Sequence, residues 1–199
     1  MRRSSTWALL GSITLALAGC ASTDLVSTWK EPSAGPIAFR KVLALAITKD
    51  ESVRRTMEDT MVKRMKSAEP AYKTIPTRDL ESPDKVKGGI RASGADGLVM
   101  VRVIGTTTEV SRQPGDYQWK PTSSPYLWGG WGGSWYAVYD PGVEVKEKFV
   151  VVEVNVYSIE SGKLLWASRS RTAEPRSMGA LVESIADANG EAMKKAGLL

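Results

Sequence analysis

The sequence predicts an α/β fold: a mixed sheet of about five strands covered by three helices and interrupted by a long Trp/Gly-rich insertion. The first half of the sheet is expected to be parallel, and the C-terminal part an antiparallel hairpin. Three observations carry this. Residues 41–48 and 98–104 are near-continuous apolar runs of strand length, the pattern of central strands buried on both faces. Between them, apolar residues recur at helical spacing. Residues 148–157 then alternate and are rich in valine, a turn follows at Glu160-Ser161-Gly162-Lys163, and 164–171 return, which is the signature of a hairpin.

The elements follow in order. After the first strand, Asp50 offers an N-cap carboxylate to a helix running to about residue 67. Its apolar stripe is Val53, Met57, Met61 and Met65, and core packing accounts for so regular a period. Its outer face carries Arg54, Arg55, Glu58, Asp59, Lys63 and Arg64, with Arg54–Glu58 and Asp59–Lys63 four apart. A short strand is expected at 72–75, ended by Pro76. Ser82 and Pro83 then supply an N-cap and a first-turn proline for a second helix, with Val86 and Ile90 inward. Gly88-Gly89 weakens that helix, and Gly94 suits a left-handed C-terminal position. The strand 98–104 follows directly, so the first half reads strand, helix, strand, helix, strand, with right-handed crossovers. A last helix starts near Ser177, runs to about residue 196 with Met178, Leu181, Val182, Ile185, Ala188 and Ala192 on one face, and stops at Gly197.

Residues 21–39 read as a tether, because Ser, Thr, Pro and Gly break any period. Fully extended, such a stretch reaches at most about 65 Å at roughly 3.4 Å per residue. Trp29 does not suit a bare linker; its apolar surface either docks on the domain or meets a partner.

The insertion, residues 107–146, holds the functional promise. It carries Tyr117, Trp119, Tyr126, Trp128, Trp131, Trp135, Tyr136 and Tyr139, interleaved with Gly129, Gly130, Gly132, Gly133 and Gly142. Loops longer than about 15 residues within compact domains are usually functional or disordered. Aromatics on a glycine-rich backbone fill a core poorly but suit surfaces that stack or bury against something else. Three readings stand: a protein-contact loop, a glycan- or membrane-interface loop, or a loop folded back on its own sheet. Trp128, Trp131, Trp135 and Tyr136 are the candidate partner-binding residues.

Catalysis finds little support. The chain has no histidine and a single cysteine, so the commonest general base and metal ligand is missing. No phosphate-binding glycine loop, dinucleotide fingerprint or Gly-x-Ser-x-Gly elbow occurs. Glu58 and Asp59 point about 100° apart on a helix and read as solvated ion-pair members, while a pairing of Asp84 with Asp96 is open at this level. No catalytic residue, metal ligand or cofactor is assigned, and an enzyme is not expected.

The one cysteine, Cys20, closes the run Leu17-Ala18-Gly19-Cys20 behind a basic start, Arg2 and Arg3, and an apolar stretch over 7–17. A stretch of that length is too short to span a bilayer, which needs roughly 20 residues, and reads as a signal peptide. The cleavage region resembles the lipobox of bacterial lipoproteins, which implies cleavage between Gly19 and Cys20 and lipidation of Cys20. Acyl chains contribute about 0.8 kcal/mol per buried methylene, enough for several to hold a protein on a membrane. Ala21 follows the cysteine, and by resemblance to lipoprotein sorting in Gram-negative bacteria this implies the outer membrane, with the domain facing the periplasm. The expected organisation is a signal peptide over 1–19, a lipidated N-terminus and tether over 20–39, and one periplasmic domain over 40–199. The chain has 27 basic and 22 acidic residues. Without Arg2 and Arg3 the net charge falls from +5 to +3, no footprint for a nucleic-acid partner.

Further residues extend the resemblance. Val26-Ser27-Thr28-Trp29-Lys30-Glu31-Pro32, the run from Lys49 through Glu51-Ser52-Val53-Arg54-Arg55 to Asp59, Ser93-Gly94-Ala95-Asp96, the Tyr/Trp/Gly-rich middle and Gly162-Lys163-Leu164-Leu165-Trp166 resemble an uncharacterised bacterial lipoprotein family. The element order is similar, more distantly, to periplasmic accessory domains: the penicillin-binding-protein activator lipoprotein, the curli-secretion lipoprotein and the N-terminal domain of the Tol-system propeller protein. That resemblance implies a non-catalytic binding or accessory module with a membrane contact through its lipid and an envelope protein as partner. A glycan-binding module using the same aromatics is the alternative.

Overall fold

The computed structural model describes residues 23–114, 116–121 and 135–199. Gly19, Cys20, Trp128 and Trp131 lie outside the described residues. The fold is α/β, with a six-stranded mixed sheet and three helices. The strands are β1 (Thr23–Lys30), β2 (Val42–Ile47), β3 (Ala68–Pro70), β4 (Gly97–Gln113), β7 (Val143–Ser158) and β8 (Leu164–Ala173). They lie in the order β1-β8-β7-β4-β2-β3. A separate two-stranded ribbon pairs β5 (Asp116–Pro121) with β6 (Trp135–Asp140). The helices are α1 (Glu51–Arg64), α2 (Pro83–Ala92) and α3 (Met178–Lys195).

The parallel half and the hairpin take their expected form. β2 pairs parallel with both β3 and β4, and β7 pairs antiparallel with β8. Gly162 turns that hairpin at φ +68°, and Gly94 and Gly197 end α2 and α3 at φ +64° and +70°, a region glycine enters without steric cost. Asp50 accepts from Val53 N at 3.0 Å to cap α1, and Ser177 accepts from Ala180 N at 3.1 Å to cap α3. Ser82 occupies the N-cap of α2, but its side chain makes no capping bond.

One face of the sheet carries α1 and α3 over Ala44, Ala46, Val101, Val152 and Val154, with Met57, Met61, Leu181 and Ile185 buried between the layers. Each such side chain, fully buried, stabilises by about 1.5–3 kcal/mol. The opposite face carries α2 over Leu43, Leu45 and Leu98, with Ile47, Met100 and Tyr157 partly buried beside them. Gly89 lets α2 approach closely, because a Cβ there would stand 2.3 Å from Ile75 Cγ1. The residue that weakens the helix in isolation is the one that docks it.

Four expectations are corrected. The tether region contains a strand: β1 pairs along β8 from Thr23–Thr172 to Lys30–Trp166. Its side-chain hydrogen bonds run from Thr23 Oγ1 to Thr172 Oγ1 on β8 and Ser184 Oγ on α3, and from Lys30 Nζ to Ala196 O at the end of α3, so no apolar alternation announced it. Trp29 sits on this strand opposite Ala167 and is half-exposed. The short strand expected at 72–75 is instead β3, Ala68–Pro70, followed by a 3-10 turn, Ala71–Lys73. Helix α1 ends at Arg64, before Ser67 enters the left-handed region at φ 52°. Finally, Arg54 and Glu58 do not belong to a solvated face; both are fully buried.

The starts of β2 and β4 are clipped together by Asp96. Its carboxylate accepts from Lys41 N at 2.9 Å and from Arg40 N at 3.0 Å, with Arg40 Nε at 3.3 Å. The backbone N–H of Lys41 first, then that of Arg40, holds its pKa down to about 2. Because the folded pKa lies below the ordinary value near 3.8, the clip stabilises above about pH 4 and is lost as pH falls toward 2. Asp96→Asn is expected to be less stable than the parent at pH 5, with the gap closing toward pH 2; urea titrations at stepped pH check this. Asp84 stands in the exposed first turn of α2 and does not appear among the partners of Asp96.

Candidate functional site

The expected loop over 107–146 is in large part an arm of strand. β4 runs on to Gln113 and β7 begins at Val143. Pairing is continuous from Gly97–Ser158 to Gln113–Val143 apart from one bulge between Val103 and Gly105. The sheet around this pair stops early. β2 leaves β4 after Arg102, and β8 leaves β7 after Phe149. Beyond Phe149 the two strands form a ribbon with no third strand among the described residues. The β5–β6 pair continues the hairpin from Asp116–Asp140 to Pro121–Trp135. At about 3.3 Å per residue, the six pairs from Thr108 to Gln113 alone carry the chain roughly 20 Å past the end of β8.

Local sequence explains the extension. Thr106-Thr107-Thr108-Glu109-Val110-Ser111 is rich in β-branched residues, and it pairs with residues 145–150, where Val145, Phe149 and Val150 flank the charged run Lys146-Glu147-Lys148. Gly142 at φ +72° makes the step between the two ribbons, where Asp140 Oδ1 accepts from Gly142 N at 3.3 Å. Val110, Tyr139 and Val143 are exposed along the arm. Of the four candidate contact residues, Trp135 and Tyr136 open β6 opposite Pro121 and Lys120. Trp128 and Trp131 fall outside the described residues.

At the root of the arm, no described helix covers the sheet face opposite α1 and α3 over β1 and β8. A shallow groove of about 650 Å³ runs there between Asp24, Val26, Ile104, Thr107, Glu109 and Arg171. Arg171 reaches Glu109 at 2.7 Å and Asp24 at 3.7 Å, and its guanidinium lies 5.0 Å from the centre of the Phe149 ring. Beside it, Arg102 meets Glu153 at 2.6 Å and its hydrogen bond holds the Glu153 carboxyl below the usual range. These charges neutralise one another across strands, and exposed pairs of this kind contribute about 0–1 kcal/mol each.

The other charged cluster lies inside the domain. Arg54 Nε donates to Glu58 Oε1 at 2.8 Å. The same oxygen accepts from Ala46 N at 3.1 Å, and Oε2 accepts from Tyr72 N at 2.7 Å. Arg54 Nη1 donates to Ile75 O and Thr77 Oγ1. Burial pushes the Glu58 carboxyl up, against the two backbone N–H groups and the guanidinium that favour its charge. The cluster is structural. β3 pairs with β2 only as far as Ala44, so Ala46 N would face the core unpaired, and the Glu58 carboxylate replaces the missing strand there. Among the described residues no group of three or more acidic or cysteine side chains converges on a metal-sized site. No described helix is long and apolar enough to cross a membrane.

No protein-family model matches the chain, and no curated protein matches it. Two solved structures of a PelC dodecamer from Paraburkholderia phytofirmans resemble it in part. One, a single-substitution variant, is 14% identical, with 81% of this chain and 93% of that chain covered and a TM-score of 0.42. The other is 13% identical over 81% and 90%, with a TM-score of 0.38. Similarity at this level assigns neither family nor function.

Proposed function

We propose that this chain is an outer-membrane lipoprotein, anchored through Cys20 and facing the periplasm, that serves as a non-catalytic binding module for a cell-envelope assembly. The contact surface is the end of the arm: Trp128, Trp131, Trp135 and Tyr136. One observation carries the reading. A two-stranded ribbon leaves the sheet where both neighbouring strands stop, and two-stranded ribbons are marginally stable alone in water. Between β5 and β6 its sequence is dense in tryptophan, a residue enriched where proteins bury surface against partners.

The test is in-cell photo-crosslinking from a probe at position 131 of the full chain, with mass spectrometry of the adducts. One dominant envelope protein is the expected product. Replacing Trp128, Trp131 and Trp135 together with alanine is expected to leave the circular dichroism spectrum and melting temperature unchanged. Pull-down of that protein by the triple variant should fall at least tenfold, the loss of a single hot-spot residue or more. Adducts to glycan strands or lipid overturn the protein-partner reading, and unfolding of the triple variant assigns the tip to the core.

A further inference from the structure

Of the open edges of the six-stranded sheet and its arm, those of β1, β3 and β7 are defended. β1 is interrupted by a bulge between Leu25 and Ser27, β3 is three residues long and ends in Pro70, and the free edge of β7 at 143–148 carries Glu144, Lys146, Glu147 and Lys148. Bulges, short length, proline and edge charge are the usual devices against strand addition. The edge of β4 beyond Arg102 has none of them past the bulge at Val103. Gly105 to Ser111 is regular strand, exposed throughout, and holds one charge, Glu109, which is drawn sideways to Arg171. Along this stretch alternate backbone N–H and C=O groups point away from β7 with no strand partner among the described residues.

We propose that a second copy of this chain pairs with this edge, antiparallel about Thr108, joining the two arms into a four-stranded sheet in the order β7-β4-β4-β7. The stretch is its own complement. Two-fold pairing sets Thr108 opposite Thr108, Thr107 opposite Glu109, Thr106 opposite Val110 and Gly105 opposite Ser111. No like charges meet, and β-branched side chains meet one another, the pairs that stabilise sheets. The two bodies stand clear of each other when the β5–β6 ribbon, which would otherwise run along the partner copy's β2, turns off at the step near Gly142. Thr108 lies six residues beyond Arg102, roughly 20 Å at about 3.3 Å per residue, and antiparallel pairing sends the two bodies to opposite ends. The pairing also raises the ribbon from two strands to four, past the number at which sheets hold together in water. The charged edges of β7 become the outer rims and stop further addition.

The test uses the full chain, whose single native cysteine is Cys20, with the unsubstituted chain as the background control. Under mild oxidation, Thr108→Cys is expected to give a covalent dimer on a non-reducing gel. A mixture of Thr106→Cys with Val110→Cys chains should give the mixed dimer, and Val145→Cys, on β7, should not exceed the control. Light scattering on the purified full chain should show a dimer, and Thr108→Lys, which sets like charges opposite each other, should raise its dissociation constant about fivefold. All substituted positions except 145 are exposed, and matching circular dichroism spectra confirm folding. A parent chain that is monomeric, or equal cross-linking at positions 108 and 145, overturns the proposal.

Discussion

Glu58→Ala is expected to lower the stability of the domain by about 3–5 kcal/mol, the cost of removing one partner from a buried ion pair. Three losses coincide. Arg54 keeps a full charge in a site with no solvent exposure. Its Nη2 already has no hydrogen-bond partner, so the guanidinium has nothing left to balance it but Ile75 O and Thr77 Oγ1. Ala46 N and Tyr72 N both lose their acceptor, at about 1–3 kcal/mol for each group left unsatisfied. For a domain of this size each kcal/mol moves the melting temperature by roughly 2–4 °C, so a fall of about 6–20 °C is expected in a thermal scan. The double variant Arg54→Met/Glu58→Leu separates the causes. It removes the uncompensated charge, which in other buried pairs is neutral or stabilising, yet leaves the two backbone N–H groups unpaired. A partial recovery is therefore expected, and full recovery would mean that the carboxylate contributes nothing to closing the edge of β2.

Trp166→Ala is expected to cost about 3–5 kcal/mol as well, by a different mechanism. Trp166 fills the space between β8 and the end of α3, against Val156, Met193 and Leu198, with Ile37 and Phe39 packed beside it. Its indole donates to Asn189 Oδ1 at 2.9 Å, an oxygen that also accepts from Ser168 Oγ, while Asn189 Nδ2 donates to Ile185 O. Alanine opens a cavity and removes one of these donors. Trp166→Phe keeps much of the volume and loses the hydrogen bond, so its expected cost is nearer about 1–2 kcal/mol. Chemical denaturation of the three proteins measures the ratio. Equal losses for alanine and phenylalanine would mean that the hydrogen bond, not the packing, holds this corner.

Much of the fold was legible in the residues. The buried strands β2 and β4 declared themselves by unbroken apolar runs, the hairpin by its valine alternation and Gly162, and α1 and α3 by their capping residues and periods. What was hidden had physical reasons. β1 is polar toward α3 and its partner lies some 140 residues later, so no local pattern marks it. The Arg54–Glu58 pair looked like a solvent-facing i,i+4 pair, but its geometry held a signal. A stripe of strict i+4 spacing drifts by about 40° per step, so Val53, Met57, Met61 and Met65 sweep an arc of about 120°. Arg54 falls inside that arc and Glu58 about 20° past its end, and Arg54, Met57, Glu58 and Met61 are all buried in the structure. The arm was mistaken for a loop because its far end is rich in glycine, while the threonine run that makes it strand lies next to β4. Cys20, Trp128 and Trp131 lie outside the described residues, and the roles proposed for them rest on the sequence alone.

The pairing of β1 with β8 begins at Thr23, and with it comes a mechanical consequence. A lipid-bearing Cys20 would be joined to the sheet by three peptide steps, at most about 11 Å of chain at 3.8 Å per step, in place of a leash of some 65 Å. Under the anchoring proposed above, a domain held so short would not sweep the periplasm in search of a partner. It would stay close to the headgroup layer, and whatever meets it would have to come to within its own radius of the bilayer or be reached by the arm.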